Sequence, residues 1–580
     1  MEFTLIENLN IGIDLSILQR TTQRHSILLY QHGGALHADN TRIGNHNNVT
    51  HELSLFFEKS RLTACDLALT PEYSCPLLVI EDIISHPEKW PTADKLWVVG
   101  CESMTKQQLT DFHTNYNIDN VYVHYDTAVL KNQLNYVDPL IYLFRGTHDG
   151  LNKLIVLLQF KTHHQSVWSG EVERNNLIQG NEIYILRNPI HSVNFLSLIC
   201  SEAMNFQAEL TQQKQKAIGW IDSPYLIYNP QLNPDPANPI FTAFRKFVFL
   251  FGKKEIISLN WNKSTTYNGV SFLKYDAARS GFYIQSGEIN LDENRIKYNH
   301  SHGLYYFYFG MNKHAFILNS SPIVFNIATP PVDIVNAMPQ QSRRDGPELI
   351  EVYGFNAVQN DFESLNDGIN DLHVDYLNGV GCICNFLISH HNCILEKEKL
   401  VCLTSGKINK ELGSNWTNIL NLFSINIDQE TEVNRRITFA EDTHPMSLRQ
   451  RTEFIDTITE LNNNILPNKT VYPESIADLK AEDLVIGYHI NSRADNYKFN
   501  ILTDTGEGRI ATICFMGSMP DDVIEKTFDF LQALFDDDNN NKRRVVVFYR
   551  RGNRILSKSD PNAGKITVTS DFDGPTFLKQ

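Results

Sequence analysis

The sequence predicts an α/β fold for the N-terminal part of the chain, joined to an α+β region. Three observations predict it. The apolar runs at 67–70, 155–160 and 195–199 are continuous rather than alternating, as strands buried on both faces are. Ahead of the first run, Val49, Leu53, Phe56 and Phe57 recur at helical spacing and mark an amphipathic helix. At 580 residues the chain also exceeds a single ordinary core, so at least two domains are expected.

Taken in order, the first strand is expected at 25–31, ending on Gln31. The helix of Val49 to Phe57 follows and leads into the strand that ends Pro71-Glu72. Two further strands end on Lys161 and Cys200. The stretch 225–231, a segment around Arg245 and the run 256–261 then complete the first domain. Proline, glutamine and charge replace apolar periodicity from Pro330-Pro331 to Gly346-Pro347, which reads as a linker at 331–347. Beyond it, helices are expected at 448–461 and 523–535 and strands at 510–516 and 545–549. The last strand, helix and strand suit a parallel crossover. Asn462-Asn463-Asn464 and Pro467-Asn468-Lys469 read as a break within this half.

Each of the three apolar runs stops on a chemically useful residue: Glu72, Lys161 and Cys200. Chemistry collects at the carboxyl ends of buried strands, so three such strands in one sheet would set a carboxylate, an ammonium and a thiol around one crevice. The three complement one another. A lysine lowers a thiol's pKa, a carboxylate takes and returns its proton, and a fixed ammonium stabilises a tetrahedral oxyanion. Alone, Lys161 reads as a solvated strand end, Glu72 as a turn carboxylate and Cys200 as a small buried hydrophobe. Their joint placement carries the argument.

The order Glu, Lys, Cys in the contexts Pro71-Glu72, Lys161-Thr162-His163 and Ile199-Cys200-Ser201-Glu202 resembles the nitrilase or carbon–nitrogen hydrolase superfamily over about the first 325 residues. The resemblance implies a four-layer αββα sandwich over 1–330, an α+β accessory domain of unknown function over 348–580, and a catalytic triad of Glu72, Lys161 and Cys200. It also implies a supporting glutamate, either Glu171 or Glu173. Ser201 stands where many members have an aromatic residue, which bears on the pocket wall and the oxyanion geometry. By the same resemblance the substrate is a small-molecule amide or nitrile, no cofactor is needed, and a homo-oligomer is expected. The alternative is a nitrilase-fold sensor or scaffold whose C-terminal half binds a protein partner, as in bacterial antiviral defence.

Composition narrows the rest. A formal charge of −16 argues against broad nucleic-acid binding, and Lys542-Arg543-Arg544 with Arg550-Arg551 reads as a solvated edge after Asp536-Asp537-Asp538. Nine cysteines, an odd and scattered count, suit a reducing cytoplasm. No window approaches the roughly twenty apolar residues that span a bilayer, and Met1-Glu2-Phe3-Thr4 does not open a signal peptide. Cys382, Cys384, His390, His391, Cys393 and Cys402 lie close together. Cys-x-Cys is not the spacing of structural zinc pairs, so core cysteines and no metal are expected.

Overall fold

The computed structural model describes residues 1–19, 24–165, 171–190, 192–285, 293–310, 313–321, 323–329, 346–365, 394–408, 410, 445–488, 497–503, 511–535 and 539–561. The chain divides into two compact units. One comprises residues 1–291, 302–306 and 310–369; the other comprises 292–301, 307–309 and 370–580.

The first unit is mixed α/β, built on two large sheets. The ten-stranded sheet runs in the order Asp361–Ser364, Glu348–Asn356, Ile323–Thr329, His25–Tyr30, Leu67–Cys75, Leu96–Cys101, Pro139–His148, Leu151–Phe160 and Val121–Tyr125, with Ile11–Gly12 paired to Pro139–His148. The eight-stranded sheet runs Glu2–Leu5, Glu182–Leu186, Asn194–Ser197, Tyr225–Pro230, Lys254–Leu259, Gly281–Gln285, Lys313–Leu318 and Leu304–Gly310.

Strand alternation sorts the side chains of the larger sheet into two faces. Leu28, Ala68, Trp97, Ile141 and Val156 share one apolar cluster with Phe56 and Phe57 of helix Thr50–Leu62, Ile80 of Leu77–Ser85 and Phe112 of Lys106–Tyr116. Burying each such aliphatic or aromatic side chain contributes roughly 1.5–3 kcal/mol, which is what holds the helices on that face. The intervening residues point the other way and meet the second sheet. Tyr228 donates its hydroxyl to Thr70 O at 2.6 Å, and Gln159 Nε2 donates to Ser197 O at 3.0 Å.

The strands that carry the expected triad therefore do not share one sheet. Leu67–Cys75 and Leu151–Phe160 belong to the ten-stranded sheet, whereas Asn194–Ser197 belongs to the eight-stranded one. The expected triad is thus drawn from strands of two sheets rather than from the edge of one. One parallel and then two antiparallel pairings separate the Glu72 and Lys161 strands, so they point the same way and bring both trailing residues to one end.

A local irregularity shapes that end. Thr70 pairs with Val99, and the next pairing is Cys75 with Cys101, so residues 71–74 bulge out of the ladder. The bulge needs a partner with no side chain. A Cβ at Gly100 would stand 2.0 Å from Pro71 O, closer than any real contact.

The first unit also runs further than the linker expected at 331–347. Glu348–Asn356 pairs antiparallel with Ile323–Thr329, and Asp361–Ser364 pairs with it in turn, so both extend the large sheet. The accessory region cannot begin at 348, because these strands bury Leu349, Val352 and Phe362 in the first unit. Residues 331–345 lie outside the described residues.

In the second unit, Thr512–Phe515 and Val545–Arg551 pair in parallel, with helix Asp521–Ala533 between them in sequence, and Arg554–Lys558 closes a hairpin. Helix Pro445–Glu460 continues through a wider turn, Leu461–Ile465, whose Leu461 and Ile465 are buried, so Asn462 to Asn464 do not break the chain. Arg544 holds Asp478 at 2.6 Å, Arg550 holds Glu460 and Arg551 holds Asp521. These arginines are engaged with acids of the same unit. Asp536 to Asp538 and five of the six Cys/His positions weighed for zinc, Cys382 through Cys393, lie outside the described residues. The six described cysteines are buried free thiols.

Candidate active site

Three elements converge on one buried cluster. The bulge presents Glu72, and the turn beyond Leu151–Phe160 presents Lys161. The short helix Val172–Asn176 presents Glu173. Lys161 Nζ donates to Glu72 Oε1 at 2.6 Å and to both oxygens of Glu173 at 2.8 and 3.1 Å. Asp138, just before the neighbouring strand Pro139–His148, sits 3.9 Å from the same nitrogen. These side chains are at most 2 % exposed. Lys161 is the cation that makes burial of Glu72 and Glu173 tolerable, since a buried charge is kept only where an opposite one meets it.

The two glutamates weighed as support are now distinct. Glu173 chelates the ammonium, accepts the Tyr73 hydroxyl at 3.1 Å and takes the Gln165 N–H at 2.5 Å. Glu171 lies outside the cluster, 64 % exposed, facing Arg174 at 3.3 Å. One helical residue separates the two, and the turn sends them to opposite sides.

Cys200 follows Asn194–Ser197 and precedes helix Glu202–Glu209, in a left-handed conformation with φ of 42°. A side chain there costs about 1–2 kcal/mol, so the turn is held by its neighbours. Glu202 supplies much of that hold, accepting Ile199 N–H at 2.6 Å and Thr162 N–H at 2.7 Å. It thereby ties the cysteine turn to the lysine turn. Ser201 spends its hydroxyl on His163 O at 2.6 Å, which fixes the segment after Lys161 rather than facing the thiol.

The cysteine closes on the cluster through a shared donor. Leu232 N–H donates to Glu72 Oε2 at 2.6 Å and also lies against the Cys200 sulfur. The thiol donates to Gln165 Oε1 at 2.9 Å. Trp261 Nε1 holds Glu72 O at 2.6 Å, so both ends of that residue are fixed.

Electrostatics set the proton positions. Burial pushes the Cys200 thiol well above its usual range, and Glu72 and Glu173 add to this while Lys161 opposes it. The expectation that Lys161 would lower the thiol's pKa is thus outweighed, since two acids and desolvation beat one cation; the group rests as a thiol. Burial also raises Glu72, which Lys161 partly reverses. For Lys161 burial works against the charge, but Glu173 and Glu72 overcome it and hold the ammonium firmly protonated. Glu202 is pushed up to about 7 by burial, restrained by its two backbone donors.

Glu72, Asp138 and Glu173 offer oxygens within 4.8 Å of one another, a spacing that a metal ion could use. Lys161 is the cation that these oxygens face. A cleft of about 720 Å³ lined by Trp90, Arg145 and Lys153 lies elsewhere and includes none of the cluster.

No protein-family model and no curated protein matches the chain. Solved structures that it resembles include amidases. An amidase from Nesterenkonia sp. aligns at 11 % identity over 45 % of this chain and 84 % of its own, with a TM-score of 0.26. The NitN amidase from Nesterenkonia sp. AN1 aligns at 12 % identity over 55 % of this chain and 96 % of its own, also at 0.26. A variant of the Nesterenkonia AN1 amidase, described as from the nitrilase superfamily, gives 11 % identity, 45 % and 86 % coverage and 0.25. At this similarity the case for the site rests on its own geometry. No described helix is long and apolar enough to cross a membrane.

Proposed function

We propose that the first unit is a four-layer αββα domain of nitrilase type and that it hydrolyses a carbon–nitrogen bond of a small amide through a cysteine thioester. The observation that carries this reading is the clamp on Lys161 by Glu72 and Glu173 beside a cysteine held in a strained turn, with Glu72 and the thiol sharing the Leu232 N–H.

In this mechanism Glu72 takes the thiol proton as the sulfur attacks the amide carbonyl, since the resting sulfur is protonated. The C–S bond forms and the carbonyl becomes an oxyanion, which Lys161 stabilises from its fixed position. Glu72 then gives its proton to the leaving nitrogen as the C–N bond breaks, leaving the thioester. It next deprotonates water, which attacks the thioester; as the C–S bond breaks, Glu72 returns that proton to the sulfur, releasing the carboxylic acid and restoring the thiol. Glu173 keeps Lys161 aimed and charged throughout.

The test is intact-mass analysis after limiting iodoacetamide across pH, comparing the protein with Cys200→Ala, Lys161→Ala and Glu72→Gln. Selective modification at Cys200, with a pH dependence that changes in the Lys161 and Glu72 variants, supports the reading. Cys200 reacting no faster than Cys75 or Cys101 overturns it.

A second reading, a sensor or scaffold that uses the same domain, is favoured by one observation. Cys200, Lys161 and Glu72 are at most 1 % exposed, and Gln165 already satisfies the thiol. In that case a ligand would shift the cluster, and the second unit would meet a protein partner.

A further inference from the structure

Asp138 is the member of the cluster that the mechanism above does not use. It stands between the short strand Tyr136–Val137 and Pro139–His148, and it is 1 % exposed. Its backbone carbonyl accepts the Lys161 N–H at 3.0 Å, which fixes its place. Its side chain is less well served. Oδ2 accepts from no donor among the described residues and lies 3.9 Å from Lys161 Nζ, beyond hydrogen-bond reach.

The charges around it do not balance. Three carboxyl groups crowd within 4.8 Å and face one ammonium, so full ionisation would bury two uncompensated negative charges. Like-charged carboxyls this close cannot all ionise in a dry site; one keeps a proton and gives it to a neighbour as a hydrogen bond. Among the described residues, Asp138 Oδ2 is the carboxyl oxygen of the cluster without a donor. Lys161 already serves Glu72 and Glu173, and Leu232 also serves Glu72. The other titratable groups facing Asp138 are Tyr73, Tyr136 and Cys101, each of which burial pushes above its ordinary value. Burial and the adjoining Glu72 charge likewise push the Asp138 carboxyl well above the usual carboxylate range.

We propose that Asp138 is an un-ionised carboxylic acid at neutral pH, donating to Glu72 as the positioning residue that keeps Glu72 ionised and able to take the Cys200 proton. This rests on the hydrolase reading for its consequence, though not for the location of the proton. The hydrogen bond is charge-assisted only while Glu72 is negative. Once Glu72 has taken the thiol proton the assistance vanishes, which favours passing that proton on to the leaving nitrogen.

Two measurements on the full chain separate the parts. The first is infrared difference spectroscopy at pH 7 between the protein and Asp138→Asn, read at the C=O stretch of un-ionised carboxylic acids. A band lost in Asp138→Asn is expected; no difference overturns the proposal. The second is the pH profile of iodoacetamide modification at Cys200. Asp138→Asn retains an N–H donor to Glu72 and should keep the acid limb in place, whereas Asp138→Ala should move it up by about one to two pH units. An unmoved limb in Asp138→Ala, or equal shifts in both variants, overturns the positioning role. If the infrared band is lost while Cys200 reacts no faster than Cys75, the proton assignment stands and the hydrolase reading falls.

Discussion

Lys161 Nζ and Glu72 Oε1 meet at 2.6 Å with both side chains about 1 % exposed. Neither charge can turn to water, so each depends on the other for its solvation. That makes the pair sensitive to loss of either partner in a way that a surface ion pair is not.

Replacing Lys161 with Met is expected to lower stability to urea by about 3–5 kcal/mol, because it strands acids in a dry interior. Lys161→Met combined with Glu72→Gln and Glu173→Gln should recover much of that loss. Equilibrium unfolding checks both; a single variant as stable as the parent would show that water reaches the cluster.

The left-handed turn at Cys200 predicts an inversion of the usual order of helix and strand propensities. Cys200→Gly should be more stable than Cys200→Ala by about 1 kcal/mol, since glycine alone enters this conformation freely. Both lack the thiol, so the comparison isolates the backbone. Ala proving the more stable would remove strain from the account.

Gln165 accepts the Cys200 S–H and so stabilises the protonated thiol. Gln165→Ala should speed alkylation of Cys200 at fixed pH by about three- to tenfold, the worth of one ordinary hydrogen bond. Slower modification would mean that Gln165 orients the sulfur instead of restraining it.

Burial pushes Glu202 up to about 7 in the fold against an ordinary 4.5. The folded state therefore binds this proton more tightly than the unfolded chain does. Its contribution to stability is fully present below about pH 4.5 and is lost as pH rises to about 7, a fall of about 3 kcal/mol. Glu202→Gln should flatten that part of the profile in urea unfolding between those values. A parallel profile in the variant would assign the pH dependence to other groups.

How much of this was legible in the sequence follows from where each residue stands. Glu72, Lys161 and Cys200 each end an apolar run, so the change from buried strand to polar residue announces them. Asp138 begins a run, between Val137 and Pro139, and reads as an ordinary turn acid; only the fold shows it beside Lys161. Glu202 was visible as the acid two residues after the cysteine, but its role is to collect backbone N–H groups from two turns, which no spacing reveals. The same holds for Leu232, whose contribution is its amide. Glu171 and Glu173 could not be separated because a short helix decides which faces inward. The late strands at 348–356 and 361–364 follow a stretch rich in proline and charge, and that composition masked their return to the large sheet.

The bulge at 71–74 has a bearing on how this site could be moved or rebuilt. Pro71 O fits only against the bare backbone of Gly100, one strand away. The acid is therefore not the property of its own strand. Any transplant of Glu72 into another sheet would have to carry Leu96–Cys101 with it, and the smallest heritable piece of this chemistry is a pair of strands rather than a motif.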